Sequence, residues 1–506
     1  MSQQPIKKIV IVGGGTAGWM TAAALAKYIR YPGIQIALIE SDDIGTVGVG
    51  EATIPGIREF NQKLGIDEQS FMRATQATIK LGIEFSNWSA PGERYLHPFG
   101  FYGHDLNALP FYQYWLKQRA LGDQTPLADY CIPCVAAQQG KFAKPNADPR
   151  SVLSTYFYAY HLDAGLYAKF LRQLAEGDDV TRIEGKITQV NQDKAGNIQS
   201  VQLEDRSIVD GELFIDCSGF SALLIEKTLA AGFEDWSKWL PADSAIAVPT
   251  ERPTGNIRPF TQSIAHHSGW QWRIPLQHRS GNGIVYSSEF IDDQTAQSQL
   301  LANLESPVIS DPRQLKFKTG MRKAQWLKNC VAIGLSGGFV EPLESTSIHL
   351  IQTAIMKLVS LFPDNGLSQT KIDEYNRQMS DQFKQVRDFI ILHYKATQRS
   401  DSEFWRYCKN MAIPDSLKTR MALFEETGQV QECSKELFVE TNWVAVLLGQ
   451  KVWPKHYHPR ADNLAPQQLQ QVMLQMRTAM NQAVATMPSH ADFIQQYCAS
   501  NDVAQS

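Results

Sequence analysis

No stretch of this 506-residue chain approaches the ~18–20 consecutive apolar residues that a membrane-spanning helix needs. Its longest apolar runs, such as residues 443–448, suit core elements. The opening MSQQPIKKIVIVGGG carries an apolar run too short and too glycine-broken for a secretory signal. Charge of one sign is not in excess. Forty-eight basic residues stand against 52 acidic ones, a net charge of −4, which excludes a strongly basic nucleic-acid binder and an acidic disordered chain. Cysteine is sparse and odd in number, seven in all, which points to a reducing compartment. The one C-x-x-C, Cys131 and Cys134, has no second cysteine or histidine pair at matching spacing, so no metal site is expected. What remains is an ordinary globular composition, 43% hydrophobic and 20% charged, long enough for about three units of ~150 residues. These absences lead us to expect a soluble, cytoplasmic protein that engages neither membrane nor nucleic acid.

The first pattern that is present begins at once. Residues 7–12 (KKIVIV) form a short β-branched run, as a buried parallel strand should. They lead into Gly13-Gly14-Gly15-Thr16-Ala17-Gly18, a G-x-G-x-x-G, and then into a helix-forming run through Ala26. A second strand-like run, residues 34–39, ends at Glu40, 22 residues after Gly18. This is the order of a dinucleotide-binding βαβ unit. Gly13 permits the tight turn, Gly15 lets a pyrophosphate approach the backbone, and Gly18 lets helix and sheet pack closely. The helix start around Thr16 and Ala17 offers N–H groups to phosphate, and Glu40 is placed for a ribose hydroxyl pair.

Later segments return to the same place. Gly45 to Ala52 is a second glycine-rich loop, with Val49, Gly50 and Ala52 as candidate contacts to a flat ligand. Residues 213–216 and 330–333 read as strands ending in small-residue turns, the second at Gly334-Leu335-Ser336-Gly337-Gly338. Repeated returns of this kind suggest FAD in an α/β, Rossmann-like fold of the two-dinucleotide (GR2) type, with mixed sheets and a helical C-terminal region. We expect residues 1–360 to form the FAD-binding module with an interleaved substrate-side sheet, and 361–506 a mainly helical cap on the substrate pocket. Only one G-x-G-x-x-G is present, so reducing power is expected from outside.

Several segments together resemble the flavin-dependent tryptophan halogenases. They are Gly13 to Gly18, Val47-Gly48-Val49-Gly50-Glu51-Ala52-Thr53, Ala77-Thr78-Ile79-Lys80, and His97-Pro98-Phe99-Gly100. Further on come residues 159–164 (AYHLDA), residues 214–220 (FIDCSGF), Trp270-Gln271-Trp272-Arg273-Ile274-Pro275, and residues 339–346 (FVEPLEST). They stand in the family order across most of the first 350 residues. The resemblance implies an FADH2-dependent halogenase, served by a separate NAD(P)H-dependent flavin reductase. Such an enzyme makes hypohalous acid at the flavin and passes it through a tunnel to Lys80. A small indole-like arene is chlorinated or brominated there.

The residues themselves leave two readings at most positions. Read as a strand, residues 77–85 alternate, with Lys80 on the face opposite the apolar one, where an exposed structural lysine is the plain reading. The resemblance instead makes Lys80 the group that holds or carries the halogen, with Glu344 as its partner. A helix is expected to start near residues 345–347, which explains hydroxyls there as caps but does not explain Glu344. The resemblance places halide at the amides around Thr346 and Ser347; Ser347 stands where the family usually has glycine. Trp270, Trp272, Ile274 and Pro275 are either a plain core face or the family's flavin-side wall. His97 and Phe99 are either structural or the lining of the arene pocket.

Beyond residue 361 the periodicity turns helical, and the stripe Leu469, Val472, Met473, Met476, Met480 reads as core. Tryptophan-specific members of the family grip their amino acid in this region. Aligning on Asn442 puts Leu437 and Phe438 at their aromatic pair, and Cys433 where an acid would hold the amine. We therefore expect Phe438 and Asn442 to meet a bare indole or a larger indole-like or phenolic scaffold and not free tryptophan. The alternatives are an aromatic monooxygenase and a non-catalytic flavin-binding protein. Either a monomer or a homodimer is compatible with the sequence.

Overall fold

The computed structural model describes residues 5–43, 50–255, 257–431 and 436–499. Strand Lys8–Val12 sits inside a six-stranded sheet, with its residues Ile9 to Val12 at most 4% exposed. Gln35–Glu40 and Leu213–Asp216 flank it, both parallel to it. Thr181–Glu184 extends the sheet on one side and Cys330–Ala332 on the other, also parallel; Trp326–Leu327 closes that edge antiparallel. Val12 lies opposite both Ile39 and Asp216, and Asp216 opposite Ala332. The carboxyl ends of four strands therefore meet along one rim. The chain leaves Lys8–Val12 toward Gln35–Glu40 and later returns on its other side. That reversal is where open α/β sheets bind ligands.

The chain forms two compact units of three segments each. The first comprises Met1–Gln76, Leu162–Asp243 and Lys316–Lys384, the second Ala77–His161, Ser244–Leu315 and Gln385–Ser506. A single boundary at residue 360 is thus not how the contacts group the chain. Parallel strands need long crossovers, and two of the second unit's three segments are excursions between strands of the first sheet, while the third follows its last strand. After residue 361 the regular elements among the described residues are helical, from Gln369–Lys395 to His490–Cys498. In Pro466–Ala485, Leu469, Met473 and Met480 are buried while Leu474 is exposed, so the stripe is a core face. No helix among the described residues is long and apolar enough to cross a membrane.

The second unit holds a seven-stranded mixed sheet. In it Gly82–Ser86 runs parallel to Thr261–Ala265 and antiparallel to Arg94–Pro98. Gly82 is glycine because a Cβ there would stand 2.4 Å from the His97 carbonyl oxygen. The single alternating strand expected over 77–85 is broken at Leu81. Its N–H donates to the Pro259 carbonyl and its own carbonyl accepts the Phe99 N–H. Before the break, Thr78–Lys80 belongs to a separate small sheet and pairs antiparallel with Ala159–Asp163. Both faces of that short strand are covered, so Lys80 is 0% exposed and not the solvated lysine that alternation suggests.

Candidate functional site

The glycine loop of the first unit is shaped by close approaches. Gly13 has φ +110°, and a Cβ there would lie 2.4 Å from the Cys217 carbonyl oxygen. A Cβ on Gly18 would lie 1.8 Å from the Gly13 carbonyl oxygen. Helix Thr16–Tyr28 starts after Gly15 and carries no acidic residue in its first turn, which leaves its N-terminus open to an anion. Gly334, at φ +81°, approaches the same turn: a Cβ on it would stand 2.9 Å from the Ala17 Cβ. The first and last returns of the chain therefore meet at Ala17. The glycines thus hold the turn tight against the helix start, whose uncapped N–H groups, with no acidic side chain in the first turn, fit a dinucleotide phosphate.

Glu40 lies against Gly14, with Oε1 taking the Arg182 Nε–H at 2.6 Å and Oε2 the Trp19 indole N–H at 3.3 Å. Arg182 was not singled out in the sequence, since nothing local ties it to Glu40. Gly50 and Ala52 lie in strand Gly50–Ala52; Val49 lies outside the described residues. Between them, burial pushes the Glu51 carboxyl up to about 7.

Glu344 closes the short helix Pro342–Glu344 and is 1% exposed. Ser345 follows at φ +58°, a region non-glycine residues seldom enter, and helix Ser347–Ser360 begins two residues later. The capping expected from the hydroxyls is not realised. Thr346 occupies the cap position with helical backbone and no side-chain cap bond. Its Oγ1 is buried and finds no hydrogen-bond partner among the described residues. Ser347 has no left-handed backbone, so its Cβ brings no backbone strain. Ser347 lines a cavity of about 30 Å³ with Gly334, Leu335, Phe339, Leu350 and Ile351. Ser347, Gly334 and Leu335 are thereby brought together.

In the second unit, Lys80 Nζ stands 5.1 Å from the centre of the Phe99 ring, a cation–π contact inside the protein. Asn442 Oδ1 accepts the Val439 N–H at 2.8 Å, so its Nδ2 faces His97 Nε2 at 2.8 Å as donor. A neutral His97 therefore carries its proton on Nδ1. The Phe438 ring stacks on Phe389 with centroids 3.8 Å apart, so one face is already covered within the protein. Phe389 and Arg420, which lies over Trp443 and pairs with Glu436, went unnoticed in the sequence because the helical stretch gives them no motif. Glu440, whose carboxyl burial pushes up, bonds Tyr112 there. Cys433 lies outside the described residues.

Trp270 and Trp272 are 1% and 8% exposed in strand Gly269–Pro275, with ring centroids 6.1 Å apart. Trp270 also meets Trp88. The two indoles are thus buried and packed against one another and against Trp88. Cys131 and Cys134 are buried, and no group of three or more metal-ligating side chains occurs among the described residues.

The family model described as tryptophan halogenase matches residues 8–466. Among solved structures, the flavin-dependent halogenase Xcc4156 from Xanthomonas campestris superposes with a TM-score of 0.95 at 48% identity, covering 98% of this chain and 99% of that one. BrvH, a flavin-dependent halogenase from Brevundimonas sp. BAL3, gives 0.94 at 46% identity over 97% and 99%. The tryptophan 7-halogenase RebH of Lentzea aerocolonigenes is 33% identical over 97% of this chain and 98% of its own.

Proposed function

Since the chain belongs to the tryptophan halogenase family and is an enzyme of the flavin-dependent class, we propose that it halogenates an indole-like arene at Lys80. FAD would be held by Gly13, Gly15, Thr16, Ala17, Gly18, Glu40, Gly50, Ala52, Gly334 and Leu335; bound in its reduced form, it supplies with oxygen the oxidation of halide to hypohalous acid. With one glycine fingerprint in the chain, a separate NAD(P)H-dependent reductase supplies the reduced flavin.

The observation that carries this reading is the buried ammonium of Lys80 over the Phe99 ring. An ammonium with no solvent exposure meets only reagents that arrive through the protein interior, which confines an otherwise indiscriminate oxidant. Lys80 Nζ hydrogen-bonds the oxygen of the hypohalous acid and polarises the O–X bond. The ring carbon forms its bond to the halogen as O–X breaks; the departing hydroxide takes a proton from the Lys80 ammonium and leaves as water, and the proton later collected by Glu344 returns to the Lys80 amine. The ring proton passes to the Glu344 carboxylate. His97, Phe99, Phe438 and Asn442 hold the arene, while Trp270, Trp272, Ile274 and Pro275 wall it from the flavin.

The test is competition between indole and tryptophan with bromide, FAD and a generic flavin reductase, read by mass spectrometry. Brominated indole should dominate. Preference for tryptophan removes the substrate assignment, and a hydroxylated product formed without bromide replaces the halogenase reading by a monooxygenase.

The halide position has its own test. Thr346→Val keeps shape and removes a buried hydroxyl that has no partner among the described residues. It should raise stability by about 1 kcal/mol and, with the hydroxyl taken to assist the backbone amides of Thr346 and Ser347 in holding halide, raise the halide KM about tenfold. A lower melting temperature with an unchanged halide KM would place the hydroxyl in the fold and not in the site.

A further inference from the structure

The strand that carries Lys80 ends its sheet: Thr78–Lys80 pairs with Ala159–Asp163 and forms the edge. An edge strand presents N–H and C=O groups that no neighbouring strand takes. Here they are buried, since Ala77, Thr78, Ile79 and Lys80 are each 0% exposed. Buried backbone groups need partners, and two side chains from distant segments supply them. The Ile79 N–H donates to His490 Nε2 at 3.0 Å, across 411 positions of sequence. The Ala77 carbonyl accepts from Gln277 Nε2 at 2.8 Å, and the same amide lies 3.2 Å from the Cys498 carbonyl. His490 and Cys498 are the first and last residues of helix His490–Cys498. The first residue of that helix therefore bonds the strand of Lys80 directly, and its last residue shares the Gln277 amide with Ala77, the residue just before the strand.

The protonation pattern follows from the bonds. His490 Nε2 accepts and so carries no proton, while Nδ1 lies 2.8 Å from the Ile257 carbonyl and donates to it. Burial pushes this imidazole down to about 4, which keeps it neutral. Beside it, Thr78 Oγ1 donates to the Pro275 carbonyl at 2.6 Å and therefore accepts from His161 Nδ1 at 3.0 Å. His161 Nε2 in turn accepts from Thr261 Oγ1 at 2.9 Å. Burial first, then the charge of Lys80, holds His161 far below its ordinary value. Two neutral rings thus fix the strand without setting a second cation beside the ammonium.

The Ile79 N–H belongs to the residue next to Lys80, so a shift there is carried along the four-carbon stem to Nζ. We infer that His490, assisted by Gln277, is a positioning residue for Lys80: its Nε2 fixes the backbone that aims the ammonium. The inference rests on the halogenating role given to Lys80 above. Asparagine places a polar atom where Nδ1 sits, and glutamine places one where Nε2 sits, so the two substitutions separate the two bonds.

His490→Asn, His490→Gln and the native enzyme are compared with indole, bromide, FAD and a flavin reductase. In His490→Asn the halogenation kcat should fall at least about tenfold, with indole KM held within about threefold and flavin reoxidation unchanged. His490→Gln should restore kcat to within about threefold of native. A second readout needs no turnover: labelling of Lys80 by an amine-acetylating reagent, mapped by peptide mass spectrometry. It should be slow in the native protein and His490→Gln and faster in His490→Asn. Where His490→Asn does not fold, Gln277→Met, which releases the Ala77 carbonyl, should show the same faster labelling and lower kcat. Native kcat and native labelling in the folded variants overturn the inference, as does equal loss in His490→Asn and His490→Gln. A native enzyme that makes no brominated product instead removes the reading of Lys80, and the labelling contrast still decides whether His490 fixes the strand.

Discussion

Lys80→Met is expected to lower halogenated product by at least about 10³-fold, equivalent to about 4 kcal/mol of barrier, while flavin reoxidation and peroxide release continue. Methionine is the informative replacement. Lys80 fills a slot with no solvent exposure, so alanine would add a cavity to the loss of charge. An unbranched side chain of similar length keeps the packing against Phe99 and removes only the ammonium. Two consequences should therefore separate. The oxidant is still made, because the glycine loops and Thr346 are untouched, and it is lost to water or surface residues. The ring is not halogenated, because no cation polarises the O–X bond at the arene. Lys80→Ala should behave alike in chemistry and melt lower. Halogenated product at native yield from Lys80→Met would mean that the ammonium is a buried structural charge and that the reaction happens elsewhere.

The glycine loop was legible in the sequence because its constraints are local. A strand, a turn needing φ > 0 at Gly13 and a helix packed through Gly18 all lie within about thirty residues of Glu40. The return strands at 213–216 and 330–333 were legible as short apolar runs ending in small residues. Their parallel order beside Lys8–Val12 follows from the long crossovers between them. The covering of Lys80 was not legible. Alternation over 77–85 states which residues share a face, but it says nothing of what packs on the other face. Here that covering includes a helix some 400 positions away, whose only signal is one histidine. The break at Leu81 is likewise made by the Pro259 carbonyl, a partner no local pattern names. For Thr346 the cap rule named the right position and the wrong reason, since helical backbone at that residue turns its hydroxyl away from the capping bond. Phe438 is expected from the sequence to meet the substrate, but its ring partner Phe389 lies in helix Gln369–Lys395, some fifty positions earlier, and emerges only with the fold.

Gly18→Ala carries the second large expectation: loss of FAD binding by at least about 100-fold, about 3 kcal/mol, with a lower melting temperature. One methyl group suffices because of where it would go. The new Cβ would stand 1.8 Å from the Gly13 carbonyl oxygen, where no adjustment of a flexible side chain can relieve it. Either Gly13 moves or the helix does. Gly13 is held from its other side by the Cys217 carbonyl, which a Cβ on Gly13 would meet at 2.4 Å, and its N–H is bonded to the Ile39 carbonyl. The helix has Gly18 through Ala26 buried, so lifting it exposes apolar surface. Both escapes open the turn that brings helix N–H groups to a phosphate. A matched control is Gly56→Ala, where the nearest atom to the new Cβ is His349 Nδ1 at 3.6 Å, an ordinary contact. Flavin fluorescence titration with thermal melts on both variants decides the matter. Native FAD affinity in Gly18→Ala would move the cofactor away from this loop, whereas loss in Gly18→Ala alone ties flavin binding to the close approach of Gly18 and Gly13.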